Sequence, residues 1–267
     1  MESHFISWHS STFHYHRFGH GAEWLFCFHG YGEDGGSFSV FEELLKNRFT
    51  LIAIDMPFHG KTVWKEGLSF STKELAEVIN LIKPAHQPMS LLGYSMGGRV
   101  ALRLTEVMPQ LVKRTVVVAP DGLHKNKWQW LSTQTRIGNR LFNYTMHHPF
   151  WMFRFMAIAG KLGLFSKSIL KFVHHYLDDA EQRVALYRRW TTLRELRPNL
   201  ALLEKSIVKY KIPVRMLFGK YDSVILTKHG TNFSKKGKGH IVIKEIEAGH
   251  QLLREKYASV IAALLVE

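Results

Sequence analysis

Gly93-Tyr94-Ser95-Met96-Gly97 is the stretch that decides how this chain is read. Apolar Met89, Leu91 and Leu92 come just before it, and Gly98 to Leu104 reads as the start of a helix. A G-x-S-x-G pentapeptide between a strand and a helix marks a tight turn that holds a serine strained, with its Oγ exposed. Side chains in place of the two glycines would clash where the strand meets the helix. The helix N-terminus behind Ser95 directs N–H groups towards developing negative charge.

Outward from this turn, short apolar runs recur. Trp24 to Phe28 ends in His29-Gly30, and Thr50 to Ile54 ends at Asp55. Met89 to Tyr94, Thr115 to Ala119, Pro213 to Phe218 and Ile241 to Ile246 follow. The first four are continuous rather than alternating, as parallel strands covered on both faces require. Helical segments are expected between them: Thr72 to Ile82, capped by Ser71 or Thr72 and stopped near Pro84; Gly98 to Val107; and Gln251 to Leu265. Alternating strand and helix means an open, mostly parallel α/β sheet, with ligands at the carboxyl ends of its strands. Gly122 to Ser206 breaks the rhythm: it is helix-like, aromatic and basic. We expect a core of residues 1–121 and 206–267, with residues 122–205 as an inserted helical lid, since long insertions are usually functional.

Composition sets limits. The 267 residues can bury a large single core, and 46% hydrophobic with 22% charged residues is ordinary globular usage. Met1 to Ser11 lacks a secretory pattern, and no apolar stretch reaches bilayer length. The longest, Phe150 to Phe165, is broken by Arg154 and Lys161. The single cysteine, Cys27, cannot form an internal disulfide and lies in an apolar run, where a buried inert thiol is expected. A cytoplasmic location fits these features. The net charge of +14 favours acidic partners in general. Lys235-Lys236-Gly237-Lys238-Gly239 reads as a solvated loop, and no nucleic-acid motif accompanies the charge, so no nucleic-acid partner is expected. A weak contact of Phe150 to Phe165 with an anionic membrane stays open.

Three positions carry the pattern of acyl transfer. Ser95 is the candidate nucleophile. Asp222 follows the fifth apolar run in Gly219-Lys220-Tyr221-Asp222, and His250 follows the sixth in Ala248-Gly249-His250. A serine hydroxyl is a poor nucleophile at neutral pH and needs a base beside it. His250 would take its proton, and Asp222 would hold the imidazole tautomer. Asp121, after Val118-Ala119-Pro120, is the rival acid. The backbone N–H groups of Tyr31, within His29-Gly30-Tyr31-Gly32, and of Met96 are the candidate oxyanion donors. Asp55 is expected to brace its turn, and His29 to make a structural hydrogen bond near the oxyanion loop.

With these residues in place, the chain resembles the α/β-hydrolase superfamily, and within it the small lid-bearing serine hydrolases. The matching stretches are Phe28-His29-Gly30-Tyr31-Gly32, Asp55-Met56-Pro57-Phe58-His59-Gly60, Gly93-Tyr94-Ser95-Met96-Gly97-Gly98, Gly219-Lys220-Tyr221-Asp222 and Gly249-His250. Gly-Tyr-Ser-Met-Gly-Gly-Arg, with Asp-x-Pro-x-His-Gly before it, is also similar to the menaquinone-pathway enzymes that eliminate pyruvate. The resemblance implies a mostly parallel sheet of about eight strands with helices on both faces, a helical lid inserted after the sixth strand, and a catalytic triad. Two departures concern loop geometry. The family often has glycine where Phe58 stands, and often a proline soon after the acid, where this chain runs Asp222-Ser223-Val224-Ile225-Leu226.

The expected activity is hydrolysis of an ester or thioester of a small apolar or anionic substrate through an acyl-enzyme. Carbon–carbon cleavage or elimination with the same residues, and a non-catalytic ligand receptor on the same fold, are the alternatives. Trp128, Arg136, Arg140, Phe150 and Trp151 are candidate substrate contacts, set against the ordinary reading of lid packing and solvated charge. No cofactor is expected. The pairs His147-His148 and His174-His175 are not expected to bind metal, because adjacent residues point apart on a helix and no third ligand accompanies them.

Overall fold

A computed structural model describes residues 1–124, 126–161 and 177–266. Among them runs one eight-stranded sheet, in the order β1-β2-β4-β3-β5-β6-β7-β8. β1 (Glu2–Trp8) and β2 (Ser11–Phe18) form an antiparallel pair at one edge, and β2 is also antiparallel to β4 (Phe49–Ile54). β3 (Glu23–Phe28), β5 (Met89–Tyr94), β6 (Val112–Val118), β7 (Val214–Gly219) and β8 (Ile241–Ile246) continue the sheet from β4 in parallel.

Every residue of β4 and β5 is buried, which is why these strands read as unbroken apolar runs. Their side chains alternate between two cores. One core gathers Leu25, Cys27, Leu51, Ala53, Leu92 and Val116. Against it pack the 3-10 turn Gly35–Phe41, through Phe38 and Phe41, and the helix Glu255–Val266, through Ile261 and Leu265. Cys27 is wholly enclosed there, and burial pushes its thiol well up from the ordinary value. On the helix Met96–Val107 the neighbours are β5, β6 and the helix Leu200–Tyr210.

Helix Thr72–Ile82 has the expected bounds, and Ser71 is its cap: Ser71 Oγ accepts the Glu74 N–H while Glu74 accepts the Ser71 N–H. One expectation shifts: the last helix begins at Glu255 rather than Gln251, because residues 250–254 stay irregular. The N-terminal stretch supplies β1 and β2, which no continuous apolar run announced.

The contacts divide the chain into two compact units. The first comprises Met1–Glu66, Phe70–His124 and Glu195–Glu267, and the second Gly67–Ser69 with Lys125–Arg194. The boundary expected after 205 falls at 194 in this division, since Leu200–Tyr210 packs within the first unit. The second unit contains the helices Lys127–Gln134, Arg136–His147, Phe150–Lys161 and Ala180–Thr192, which follow β6 in the chain. Its own small core joins Met146, Leu177 and Tyr187. Among the described residues no helix is long and apolar enough to cross a membrane.

Candidate active site

The site is built on the turn from β5 into Met96–Val107. Ser95 sits there with φ 49 and ψ −112, a backbone state that a non-glycine residue adopts at a cost of roughly 1–3 kcal/mol. The strain is held by backbone bonds on both sides. Ser95 N–H donates to Val118 O (2.9 Å), and Ser95 O accepts from Gly98 N–H (3.0 Å) and Asp121 N–H (2.9 Å). The flanking glycines have a direct cause. A Cβ on Gly97 would lie 1.8 Å from Phe28 O, and one on Gly93 would lie 2.3 Å from Gly97 O. Tyr94 and Met96 are buried, while Ser95 between them keeps partial exposure.

His250 reaches this turn from the irregular segment beyond β8. Its Nε2 lies 3.1 Å from Ser95 Oγ, and its Nδ1 lies 2.7 Å from Asp222 Oδ2. An ionised Asp222 can only accept, so Nδ1 carries the proton and Nε2 accepts from the Ser95 hydroxyl. Asp222 follows β7, whose neighbour in the sheet is β8. Its Oδ1 accepts the N–H groups of Val224 (2.7 Å) and Ile225 (2.9 Å). Burial works to raise this carboxyl, but the bonds from His250, Ile225 and Val224 outweigh it and hold it below the usual carboxylate value. The departure after the acid thus has a use, since the Val224 and Ile225 amides are donors that a proline would lack. The rival acid lies elsewhere: Asp121 Oδ2 pairs with Arg99 Nη1 at 3.2 Å.

Around the Ser95 turn the other sequence landmarks do structural work. His29 Nε2 accepts Met56 N–H (3.1 Å), leaving Nδ1–H to donate to Gly30 O (2.8 Å). Asp55 takes Gly35 N–H on Oδ1 (2.7 Å) and Lys61 N–H on Oδ2 (2.8 Å), with His14 Nδ1 2.7 Å from the same Oδ2. His14, His16 and Asp55 bring ligand-type atoms within 4.8 Å of one another. Both Asp55 oxygens are already committed, as are both His14 nitrogens, Nε2 lying 2.6 Å from Ser3 Oγ. His14 and Asp55 therefore form a hydrogen-bonded brace between β2 and the segment just past β4. Phe58 adopts φ 62, the left-handed state that glycine enters freely, so a bulkier residue stands at a position whose backbone suits glycine.

A family model described as the alpha/beta hydrolase fold matches residues 23–257. The chain belongs to this family of hydrolases. Among curated relatives, the pimeloyl-[acyl-carrier protein] methyl ester esterase of Aeromonas salmonicida is 26% identical over 215 residues, covering 78% of this chain and 80% of that one. Among solved structures, a thermophilic esterase from Thermogutta terrifontis superposes with a TM-score of 0.67 at 15% identity, covering 100% of this chain and 97% of that chain. A thioesterase domain from the curacin biosynthetic pathway gives 0.65 at 17% identity, with 99% of each chain covered. At these identities the two structures speak to the fold alone.

Within this α/β hydrolase the sequence candidates separate into two groups. Ser95, Asp222, His250, Tyr31 and Met96 all belong to the first unit. Tyr31 lies in the loop after β3, and Met96 is the first residue of its helix, where N–H groups have no intrahelical acceptor. Trp128, Arg136, Arg140, Phe150 and Trp151 all belong to the second unit and are exposed, Trp128 at 81% and Phe150 at 71%. His174 and His175, and the end of the Phe150 to Phe165 stretch, lie outside the described residues. Sequence reasoning passed over Tyr94. Its hydroxyl donates to the His250 carbonyl (3.0 Å), and its ring centroid is 5.6 Å from that of His250. A tyrosine in a buried strand needs a partner for its hydroxyl, and that requirement was the available signal.

Proposed function

We propose that this protein is a serine esterase that cleaves a carboxylic ester through an acyl-enzyme on Ser95. The observation that carries this reading is the continuous chain Ser95 Oγ, His250, Asp222, with gaps of 3.1 and 2.7 Å. In that geometry Nε2 accepts the Ser95 proton as Oγ attacks the ester carbonyl. The tetrahedral oxyanion takes hydrogen bonds from the Tyr31 and Met96 N–H groups. It collapses as the imidazolium returns the proton to the departing alcohol. Water then enters, gives its proton to Nε2, attacks the acyl carbonyl and releases the carboxylic acid, restoring Ser95. Asp222 remains ionised throughout and stabilises the imidazolium.

The methyl ester esterase relatives support an acyl ester with a small alcohol as the first substrate class to test. The decisive work is labelling with an uncharged fluorophosphonate, followed by turnover of methyl and nitrophenyl esters of varied acyl length. Wild type should be labelled and active, while Ser95→Ala should be unlabelled, with turnover reduced by about 10⁴-fold or more. Labelling without turnover of any ester would redirect the search to carbon–carbon substrates. Neither labelling nor turnover would favour a receptor.

A further inference from the structure

We propose that Glu33 is a positioning residue that holds the oxyanion turn in shape. The proposal rests on the serine-esterase reading, because the donor it positions is the Tyr31 N–H. Residues 30–33 form a four-residue turn: Glu33 N–H donates to Gly30 O at 3.3 Å. Gly32, at its third position, has φ 76, as a type II turn requires. The Glu33 side chain then folds back, and its Oε2 accepts the Gly30 N–H, also at 3.3 Å. Residues 30 and 33 are thus tied twice, in opposite senses, with Tyr31 between the ties. Each bond lies at the long end of the useful range, so neither alone fixes the turn.

Packing supports the same assignment. A Cβ on Gly30 would lie 2.9 Å from the Tyr94 ring and 3.2 Å from Glu33 Oε2. Turn, carboxylate and ring therefore meet around a glycine that leaves room for nothing larger. Tyr94 is the residue whose hydroxyl anchors the His250 carbonyl, so the turn and the base share a support. The titratable groups facing Glu33 are Asp34 and His250. Burial, and to a smaller degree Asp34, raises its carboxyl, while the Gly30 N–H and His250 oppose the rise. A glutamate merely solvated on a loop would show neither the returning bond nor this enclosure.

The test compares Glu33→Ala and Glu33→Gln with wild type for kcat and KM on a neutral nitrophenyl ester. The rate of fluorophosphonate labelling and the thermal midpoint are measured alongside. Complete loss of an oxyanion donor costs 10²–10³ in kcat, so a loosened one in Glu33→Ala should cost about tenfold, with KM within about twofold. Labelling should slow in parallel, because the phosphonyl oxygen uses the same donors. Glu33→Gln retains an oxygen for the Gly30 N–H and should recover kcat to within about threefold. The thermal midpoint separates positioning from folding: the proposal requires the kcat loss with a native-like melt. An unchanged Glu33→Ala overturns it, as does a Glu33→Gln no better than alanine, or an effect on KM alone. A wild type that neither labels nor turns over overturns the serine reading and this proposal with it. An active wild type with an unaffected alanine variant overturns this proposal alone.

Discussion

Asp222 accepts three hydrogen bonds, one from His250 and two from the backbone of its own loop, while Asp121 is tied to Arg99. Two different losses follow from these surroundings. Asp222→Asn should leave the fold intact but disturb the imidazole tautomer, lowering kcat by about 10³–10⁴-fold in steady-state assays. Asp121→Asn should change kcat less than about tenfold, yet cost about 2 kcal/mol in denaturant unfolding by removing a charged partner from buried Arg99. The reverse pattern would move the acid to Asp121. The depressed Asp222 carboxyl also fixes a sign with pH. Its stabilisation is present above the unfolded carboxylate value of about 4 and is lost as pH falls through the lower folded value. The stability gap between wild type and Asp222→Asn should therefore narrow below about pH 4, which unfolding curves at several acid pH values would check. The sequence alone favours Asp222 but keeps Asp121 as a rival, because each follows the end of a parallel strand. What separates them is sheet order: β7 lies beside β8, whose continuation carries His250, and β6 does not.

The turn from β5 into its helix is where local sequence and tertiary packing coincide. Gly93 and Gly97 were legible because the backbone itself fills the space a Cβ would need. Gly97→Ala would press a methyl group onto Phe28 O, so β3 or the helix must shift. The expected cost is about 3 kcal/mol or more in thermal or denaturant unfolding, together with loss of ester turnover from any folded fraction. A variant as stable and active as wild type would show that the turn is not held against β3. Elements with continuous apolar runs could be read, as could the Ser71 cap. β1 and β2 could not, because Ser-Thr-Phe-His-Tyr-His-Arg-Phe buries histidines among its apolar residues and so lacks an apolar pattern. One of them, His14, is buried in a pair with Asp55, just past the end of the adjacent strand β4, a contact between residues 41 positions apart. The segment 251–254 looked helical for the opposite reason. Its apolar Leu252 and Leu253 fit a helix, but the chain stays irregular until Glu255.

At the scale of the whole molecule, the family resemblance and the alternation of strands and helices told more than composition did. They fixed a mostly parallel sheet, while the order of its strands and the boundary at 194 came from contacts between distant parts of the chain. The candidate site shows the same dependence on distance: Ser95 and His250 are 155 positions apart, and His250 follows β8, which pairs with β7. Between the helix Thr227–Ser234 and β8 runs the lysine-rich loop 235–240. Opening the peptide chain within that loop would leave Ser95 and Asp222 on a large fragment and carry His250 away on a small one. Each fragment alone should be inert towards esters. Mixed, they should regain turnover that fades on dilution, since a tethered encounter has become a bimolecular one. Ester hydrolysis by the large fragment alone would count against His250. On the proposed reading the proton acceptor lies beyond that loop, so splitting the gene there would yield a reporter whose signal depends on reunion.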